Sequence, residues 1–253
     1  MQLIELFWPA FSLAILLVFI HAIFGFEIIK RGVIFTDLAV GQIAAVGMAL
    51  SIAFFEGDYQ TPMTLLFAIM AALLISFVSK RIYHPEAFIG LLYALGLSAL
   101  MLLLAQSTEG LELFKRLSAA DILFTSASEL FSSALLYFAI AVVMFFVYPR
   151  LQDLTKELSF FISLALLVTS SVQNAGVFVV FTLLIAPAYI GLIQKQFKPL
   201  LFSWFFGSVN IILAMILSYH FDLPTGYTMI FVLVLSTLVG VLFLTAKRPA
   251  RDI

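Results

Sequence analysis

The sequence predicts an all-α, polytopic membrane protein of about eight to nine transmembrane helices, forming one transmembrane domain over residues 1–253. Three observations carry this. The 253 residues are 64% hydrophobic and 11% charged, with a mean hydropathy of +1.17, whereas a soluble domain is nearer half apolar and a quarter charged. Apolar runs long enough to cross a hydrocarbon core of about 30 Å recur along the chain. The basic residues that separate them fall almost entirely on one side when the runs are threaded as alternating crossings.

The first span is Trp8–Phe26, with Trp8 at an interface and Lys30-Arg31 stopping it on the inner side. The second opens at Gly32 and runs to about Phe55. Glu56-Gly57-Asp58-Tyr59 is a short acidic outer turn. Pro62 suits the first turn of the third span, which ends at Lys80-Arg81. Tyr83-His84-Pro85-Glu86 turns the chain inside, and Phe88–Ala105 goes out again. The segment Gln106–Ser128 is the longest polar stretch. Leu111, Phe114 and Leu117 recur every third residue in it, which suits a helix lying at the interface. Glu129–Tyr148 returns and stops at Pro149-Arg150. After the next segment, Pro199 opens a span to Tyr219, His220–Gly226 turns it, and Tyr227–Thr245 is the last crossing, closed by Lys247, Arg248 and Arg251.

The segment between, Leu158–Ile193, carries no charge, and as one straight helix it would run roughly 54 Å. A polar break, Ser170-Ser171-Val172-Gln173-Asn174-Ala175-Gly176, divides it. Two short spans folded back at Gln173–Gly176 place 11 of the 13 lysines and arginines on one side and leave only Lys115 and Arg116 on the other. A single span would split the same 13 as 6 and 7, which is no bias at all under the positive-inside rule. The hairpin is therefore expected, giving nine crossings with the N-terminus outside and the C-terminus cytoplasmic. The start, MQLIELFWPAF, has no basic n-region and is expected to be retained rather than cleaved.

Several function classes are excluded. The net charge of −1 offers no basic field for nucleic acid. The chain has no cysteine, hence no disulfide, thiolate metal site or thiol nucleophile. It lacks H-E-x-x-H and G-x-S-x-G, so an intramembrane hydrolase has little support, and it has no P-loop with which to hydrolyse ATP itself. No catalytic residues and no bound cofactor are expected.

Candidate site residues are few. Asp37 lies about a turn inside the second span and reads either as part of a cation pathway or as a carboxylate held by free amides at a helix start. Gln42, five residues on, lies about 140° round the helix from Asp37 and suits an interhelical hydrogen bond. The small residues Ala39, Gly41, Ala44, Ala45 and Gly47 allow close approach of neighbouring helices. His21 reads as a hydrogen-bonded packing residue or, less readily, as a metal ligand. Glu27 is expected to pair with Lys30 or Arg31. Gln173 and Asn174 read as turn residues or as lining of a pathway. His220 and Asp222 sit near the outer mouth, where they could receive a cation, with Asp222 equally suited to helix capping.

Five stretches, in order, resemble one family. They are Arg31-Gly32 with the small-residue helix to Gly47; Glu86-Ala87-Phe88-Ile89-Gly90 through Leu95; Ala120-Asp121-Ile122-Leu123-Phe124; Val172–Ala188 with Gly176-Val177 and Leu183–Ala188; and Asp222-Leu223-Pro224-Thr225-Gly226. Together they are similar to the membrane-spanning permeases of bacterial ABC importers for zinc, manganese and iron. The resemblance implies a fold similar to the cobalamin importer's permease and residence in the bacterial cytoplasmic (inner) membrane. It further implies a homodimer, or a pair of similar permeases, docked on ATP-binding subunits that spend the ATP. A periplasmic or extracytoplasmic metal-binding protein would deliver the ion. The segment after Pro187-Ala188 is implied to form cytoplasmic helices that seat on the ATPase, which makes Ala188–Lys198 the expected coupling region, with Ala188, Tyr189, Gln194, Lys195 and Lys198 as its residues.

One departure stands out. Many members of the family carry Asp and His four apart on the second span. Aligned on Arg31 and Gly47, those positions are Leu38 and Gln42 here; aligned on Asp37, the His position is Gly41. The pair is broken in either register. Imidazole suits transition metals, whereas Gln offers a neutral oxygen. Asp37 with a residue from another span, such as His21, is the substitute pathway the residues offer. The rival reading is a stand-alone ion-coupled secondary transporter, which needs acidic or histidine relays inside the bundle.

Overall fold

In the computed structural model, residues 2–79, 81–105, 110–120 and 122–246 are described. Lys80, Asp121, Lys247, Arg248 and Arg251, together with residues 106–109, lie outside the described residues. The described residues form helices and turns with no strand. The helices are α1 (Gln2–Arg31), α2 (Thr36–Phe55), α3 (Gln60–Ser79), α4 (Pro85–Leu104), α5 (Gly110–Ser118), α6 (Ala127–Val142), α7 (Asp153–Ala175), α8 (Val177–Ile193), α9 (Pro199–Phe221) and α10 (Thr225–Ala246). Among the described residues eight spans are long and apolar enough to cross a membrane, α6 being continued to Arg150 by the turns that follow it, and α8 adds a shorter apolar helix of 17 residues. The chain is a multi-pass membrane protein.

Local chemistry sets the helix ends. Pro85 and Pro199 open α4 and α9, where a missing N–H is harmless. Ser126 and Glu129 cap α6 reciprocally: Ser126 Oγ accepts from the Glu129 amide at 3.2 Å, and Glu129 Oε2 accepts from the Ser126 amide at 2.7 Å. Past Val142 the chain makes a π-helical turn, Val143–Val147, and a tight turn, Tyr148–Arg150, which holds Pro149 near its start. Gly32 does not open α2. It sits at φ +65° in the turn after α1, and α2 begins at Thr36.

The hairpin forms as expected. Gly176, at φ +86° and ψ +158°, separates α7 from α8 in a conformation open essentially to glycine alone. Gln173 and Asn174 belong to the last turn of α7, so Gly176 alone makes the reversal. Contacts fix the directions of the two arms. Glu157, at the start of α7, meets Arg31 at the end of α1, and Gly25 near that same end lies against Leu184 and Ala188 late in α8. The ends of α1 and α8 and the start of α7 therefore share one end of the bundle, with Lys30, Arg31, Lys156, Lys195 and Lys198; this is called the basic end below.

α2 is the buried centre. Residues on every side of it are buried, from Thr36 to Ser51, and it packs against α3 and α4. Gly47 meets the Met63 backbone of α3, and Gly96 of α4 meets Gln42 and Ile43. The small residues thus serve close helix approach, as expected. The largest buried side chains, Phe24, Phe160 and Phe161, fill the junction of α1 and α7. α5 is helical over the expected three-residue spacing, but it does not simply lie at the interface. Leu117 is 3% exposed and packs with Phe114 against Ala45, Ala49 and Leu100, closing the end of the bundle opposite the basic end.

Three of the five family-like stretches converge at that opposite end. The Ala120 amide donates to Ala175 O at 3.0 Å. A Cβ on Gly176 would lie 2.6 Å from the Ala119 nitrogen, and one on Gly226 would lie 2.8 Å from Ala120 O. The two glycines leave room for the 119–120 backbone to wedge between the hairpin tip and the start of α10.

Candidate functional site

The buried polar residues of the membrane core come first. Asp37 is 2% exposed and lies in the first turn of α2, one residue after its start, closer to the helix end than expected. Neither carboxylate oxygen has a partner in hydrogen-bond geometry. The positive end of the α2 dipole lies at this first turn and favours the carboxylate without satisfying it. Gln42 is 1% exposed with its Oε1 unpartnered. His21 is fully buried; its Nδ1 bonds Leu17 O at 2.8 Å while Nε2 has no partner. The packing role expected of His21 holds at one nitrogen only. Among the described residues no group of three or more His, Cys, Asp or Glu gathers as a metal cage, and no hydrogen bond joins Asp37, Gln42 and His21.

The basic end carries an ionic network. Arg31 Nη1 donates to both Glu157 oxygens at 2.8 Å, and Nη2 donates to Tyr148 OH at 2.9 Å. Tyr148 in turn donates to Glu27 Oε2 at 2.9 Å, and Glu27 accepts from Lys30 at 3.4 Å. Glu27 therefore pairs directly with Lys30 and reaches Arg31 through the Tyr148 hydroxyl. The guanidinium lies 4.3 Å over the Phe160 ring, whose face favours the cation. Nearby, Glu86 Oε1 accepts from the Ile34 amide at 3.1 Å. That carboxylate, from the second family-like stretch, ties the start of α4 to the α1–α2 turn.

The α8–α9 connection is also at this end. Gln194, 6% exposed, makes four hydrogen bonds: its Nε2 donates to Gly191 O and Phe197 O, and its Oε1 accepts from the Gln196 and Phe197 amides, both at 2.9 Å. One amide side chain thereby fixes the turn and holds Lys195, Gln196, Phe197 and Lys198 outward. Ala188 and Tyr189 are placed differently from the other coupling candidates. α8 runs unbroken past Pro187 to Ile193, so both lie within it, Ala188 fully buried and Tyr189 43% exposed. No separate helix forms between Ala188 and Lys198. Ser203 Oγ donates to Pro187 O, which binds the first turn of α9 to the Pro187 level of α8.

The opposite end holds a cavity of about 600 Å³ between α2, α3, α6 and α7. Thr169, Ser170 and Asn174 of α7 and Ser133 of α6 line its inner wall. The polar break in the hairpin segment is the sequence signal for it, and it reads as a turn because nothing in one dimension shows which side chains face α6. His220 and Asp222 are exposed at this end. Asp222, at φ +52°, closes α9 with its amide on Ser218 O, so its capping role is at a helix end rather than the start of α10.

The family model described as ABC 3 transport family matches residues 3–244. No curated protein sequence matches the chain at a significant level. Among solved structures, the fold is similar to that of a chain of PsaBC from Streptococcus pneumoniae, solved in complex with Fab. The TM-score is 0.74 at 19% identity, covering 95% of both chains. It is also similar to a transporter described as of the metal-chelate ABC type in an inward-facing conformation, with a TM-score of 0.67 and 17% identity over 95% of this chain and 86% of the other.

Proposed function

Because this chain belongs to the ABC 3 transport family, we propose that it is the membrane-spanning permease subunit of an ATP-driven importer for a divalent transition metal. A separate ATP-binding subunit docks at the basic end and supplies the energy. Two permeases form the pathway, and an extracytoplasmic binding protein delivers the ion to the opposite end. The bacterial inner membrane is the compartment, with the basic end cytoplasmic.

The observation that supports this best is the turn held by Gln194. A docking surface must keep its shape while force passes through it. Four hydrogen bonds from one buried side chain give that rigidity, and Phe197, 64% exposed, projects beside two lysines as an anchor. Movement there passes directly to α8 and α9, which Ser203 ties together at Pro187. The network of Arg31, Glu157, Tyr148 and Glu27 joins α1, the Tyr148–Arg150 turn and α7 at the same end and suits a latch that opens in alternating access. Asp37, buried and unsatisfied, is the ion-pathway residue of this reading, with Gln42 further along α2 and His21 on α1 as its other candidates.

The test is co-purification of the full chain with candidate ATPases from neighbouring reading frames, followed by ATPase activity in liposomes with and without Mn²⁺ or Zn²⁺. Metal-stimulated hydrolysis by the complex supports the reading. Metal uptake by the chain alone, driven by an ion gradient, transfers it to the secondary-transporter class.

A further inference from the structure

The basic end holds a slot of about 590 Å³ that neither the ionic network nor the α8–α9 turn explains. Both α6 and α9 pack on α1, and the slot lies where these three meet the end of α8. Its floor is Ile23 and Phe26 of α1, and Met144, Leu192 and Leu200 form its apolar sides. Ile23, Phe26, Met144 and Leu200 all belong to membrane-crossing stretches. Glu27, Lys30, Tyr148 and Lys156 line it as well. The two sets are graded along the helix axes. Ile23 lies seven residues, about 10 Å, deeper in α1 than Lys30, and Met144 lies a turn deeper than Tyr148. The slot is thus apolar at depth and basic at its mouth.

The charges at the mouth do not balance. Glu27 is engaged twice, accepting from Tyr148 at 2.9 Å and from Lys30 at 3.4 Å. Lys30 is 62% exposed and held by that one long bond. Lys156 has no carboxylate partner among the described residues; its Nζ stands 5.0 Å from the centre of the Tyr148 ring. Two ammonium groups against one carboxylate leave positive charge beside an apolar slot. A soluble anion has no use for Ile23 and Met144, and an uncharged lipid has none for the lysines. A segment of a soluble protein does not reach a floor set inside a membrane-crossing helix. An anionic phospholipid matches both halves, its phosphate facing the lysines and the upper part of its chains lying in the slot. A zwitterionic head group brings a cation of its own, and the one carboxylate at the mouth is already engaged. Pockets of roughly 300–1,000 Å³ enclose a drug-sized group, so this slot takes a phosphoglycerol and the first chain carbons, and the rest of each chain runs in the bilayer.

We infer that this slot binds one anionic phospholipid, with the phosphate between Lys30 and Lys156 and the chains over Ile23 and Met144. The inference needs only that the chain crosses a membrane, and it stands apart from the cargo and the ATPase.

The test is native mass spectrometry of the purified full chain in a neutral detergent, titrated with phosphatidylglycerol, with phosphatidylethanolamine of the same chains, and with glycerol 3-phosphate. The expected result is saturable retention of phosphatidylglycerol, weaker retention of phosphatidylethanolamine, and none of the chainless phosphate. Lys156→Gln and Lys30→Gln should each weaken phosphatidylglycerol about fivefold, the usual worth of one basic residue near a membrane surface. Lys156→Arg should keep it, which separates lost charge from lost folding. Leu192→Trp, at a position 38% exposed, should fill the slot and displace the lipid. Arg81→Gln removes the same charge from the exposed α3–α4 turn, outside the slot, and should leave binding as it was. No saturable retention, equal binding of the two lipids, retention of glycerol 3-phosphate, unchanged affinity in both lysine variants, or an equal loss in Arg81→Gln would each overturn the inference. Co-purification of the ATPase is read separately, so the loss of this site leaves the proposed function standing, and the loss of docking leaves this site standing.

Discussion

Arg31 grips Glu157 through two bonds of 2.8 Å across 126 residues of sequence, and this pair sets α1 against α7 at the basic end. The two side chains are 19% and 17% exposed, so the pair is partly dehydrated, and Nη1 alone spans both carboxylate oxygens while Nη2 takes the Tyr148 hydroxyl. Removing one partner strands the other. Glu157→Gln should cost about 2 kcal/mol, below the range for fully buried pairs because some water reaches it. A fall in Tm of the purified protein reads this directly, and Arg31→Lys should also lower it because one ammonium cannot hold Glu157 and the Tyr148 hydroxyl as the planar guanidinium does. An unchanged Tm in Glu157→Gln removes the pair from the list of structural ties.

Gly176 permits the hairpin, and its replacement is expected to fail. Gly176→Ala combines a glycine-only backbone at φ +86° with a Cβ set 2.6 Å from the Ala119 nitrogen. The backbone alone costs about 1–3 kcal/mol, and the contact adds to it. Gly90→Ala, where a Cβ meets nothing within 4 Å, is the matched control. Expression and monodispersity should drop for the first and hold for the second.

Gln194→Ala removes all four bonds of the α8–α9 turn. The helices stay packed through Ser203 and Pro187, so the variant should remain folded while ATPase co-purification falls several-fold. Charge reversal at Lys195 and Lys198 should do the same. Full retention of the ATPase in both would place the docking surface elsewhere.

The lack of native cysteine makes topology directly measurable. Single cysteines at Tyr83 and Gln196 should resist an impermeant maleimide in intact cells, and those at Asp58 and Asp222 should react. Labelling of Gln196→Cys from outside would invert the assigned compartments.

Asp37→Asn keeps the size of the side chain and removes its charge. With the carboxylate buried and unpartnered, the substitution should hold or raise Tm while metal uptake falls at least tenfold. Normal uptake in the properly assembled complex takes Asp37 out of the pathway.

Much of this was legible from the residues. Runs of about 20 apolar residues specify crossings because lipid offers the backbone no partners, and the observed helix ends lie within a few residues of the expected ones, as at Phe55, Pro199 and Thr245. Charge placement resolved Leu158–Ile193 into a hairpin. The errors are local. Asp37 lies about one turn nearer the helix start than the apolar run suggests because the chain after Gly32 forms a turn, and α5 docks inward on partners distant in sequence.

Sequence by itself determined the crossings, the hairpin and the shared end of the basic residues, since all three follow from partition between water and hydrocarbon. Tertiary structure alone decided that Arg31 meets Glu157, that Glu86 holds the Ile34 amide, and that Ser133, Thr169 and Asn174 share a cavity. The physical reason lies in the solvent. A lipid-facing side chain such as Leu91, 71% exposed, is as apolar as the buried Leu164, so no amphipathic stripe marks the packing face of a membrane helix. Which faces meet is settled only by small residues, polar bonds and shape, and those act between helices far apart in the chain.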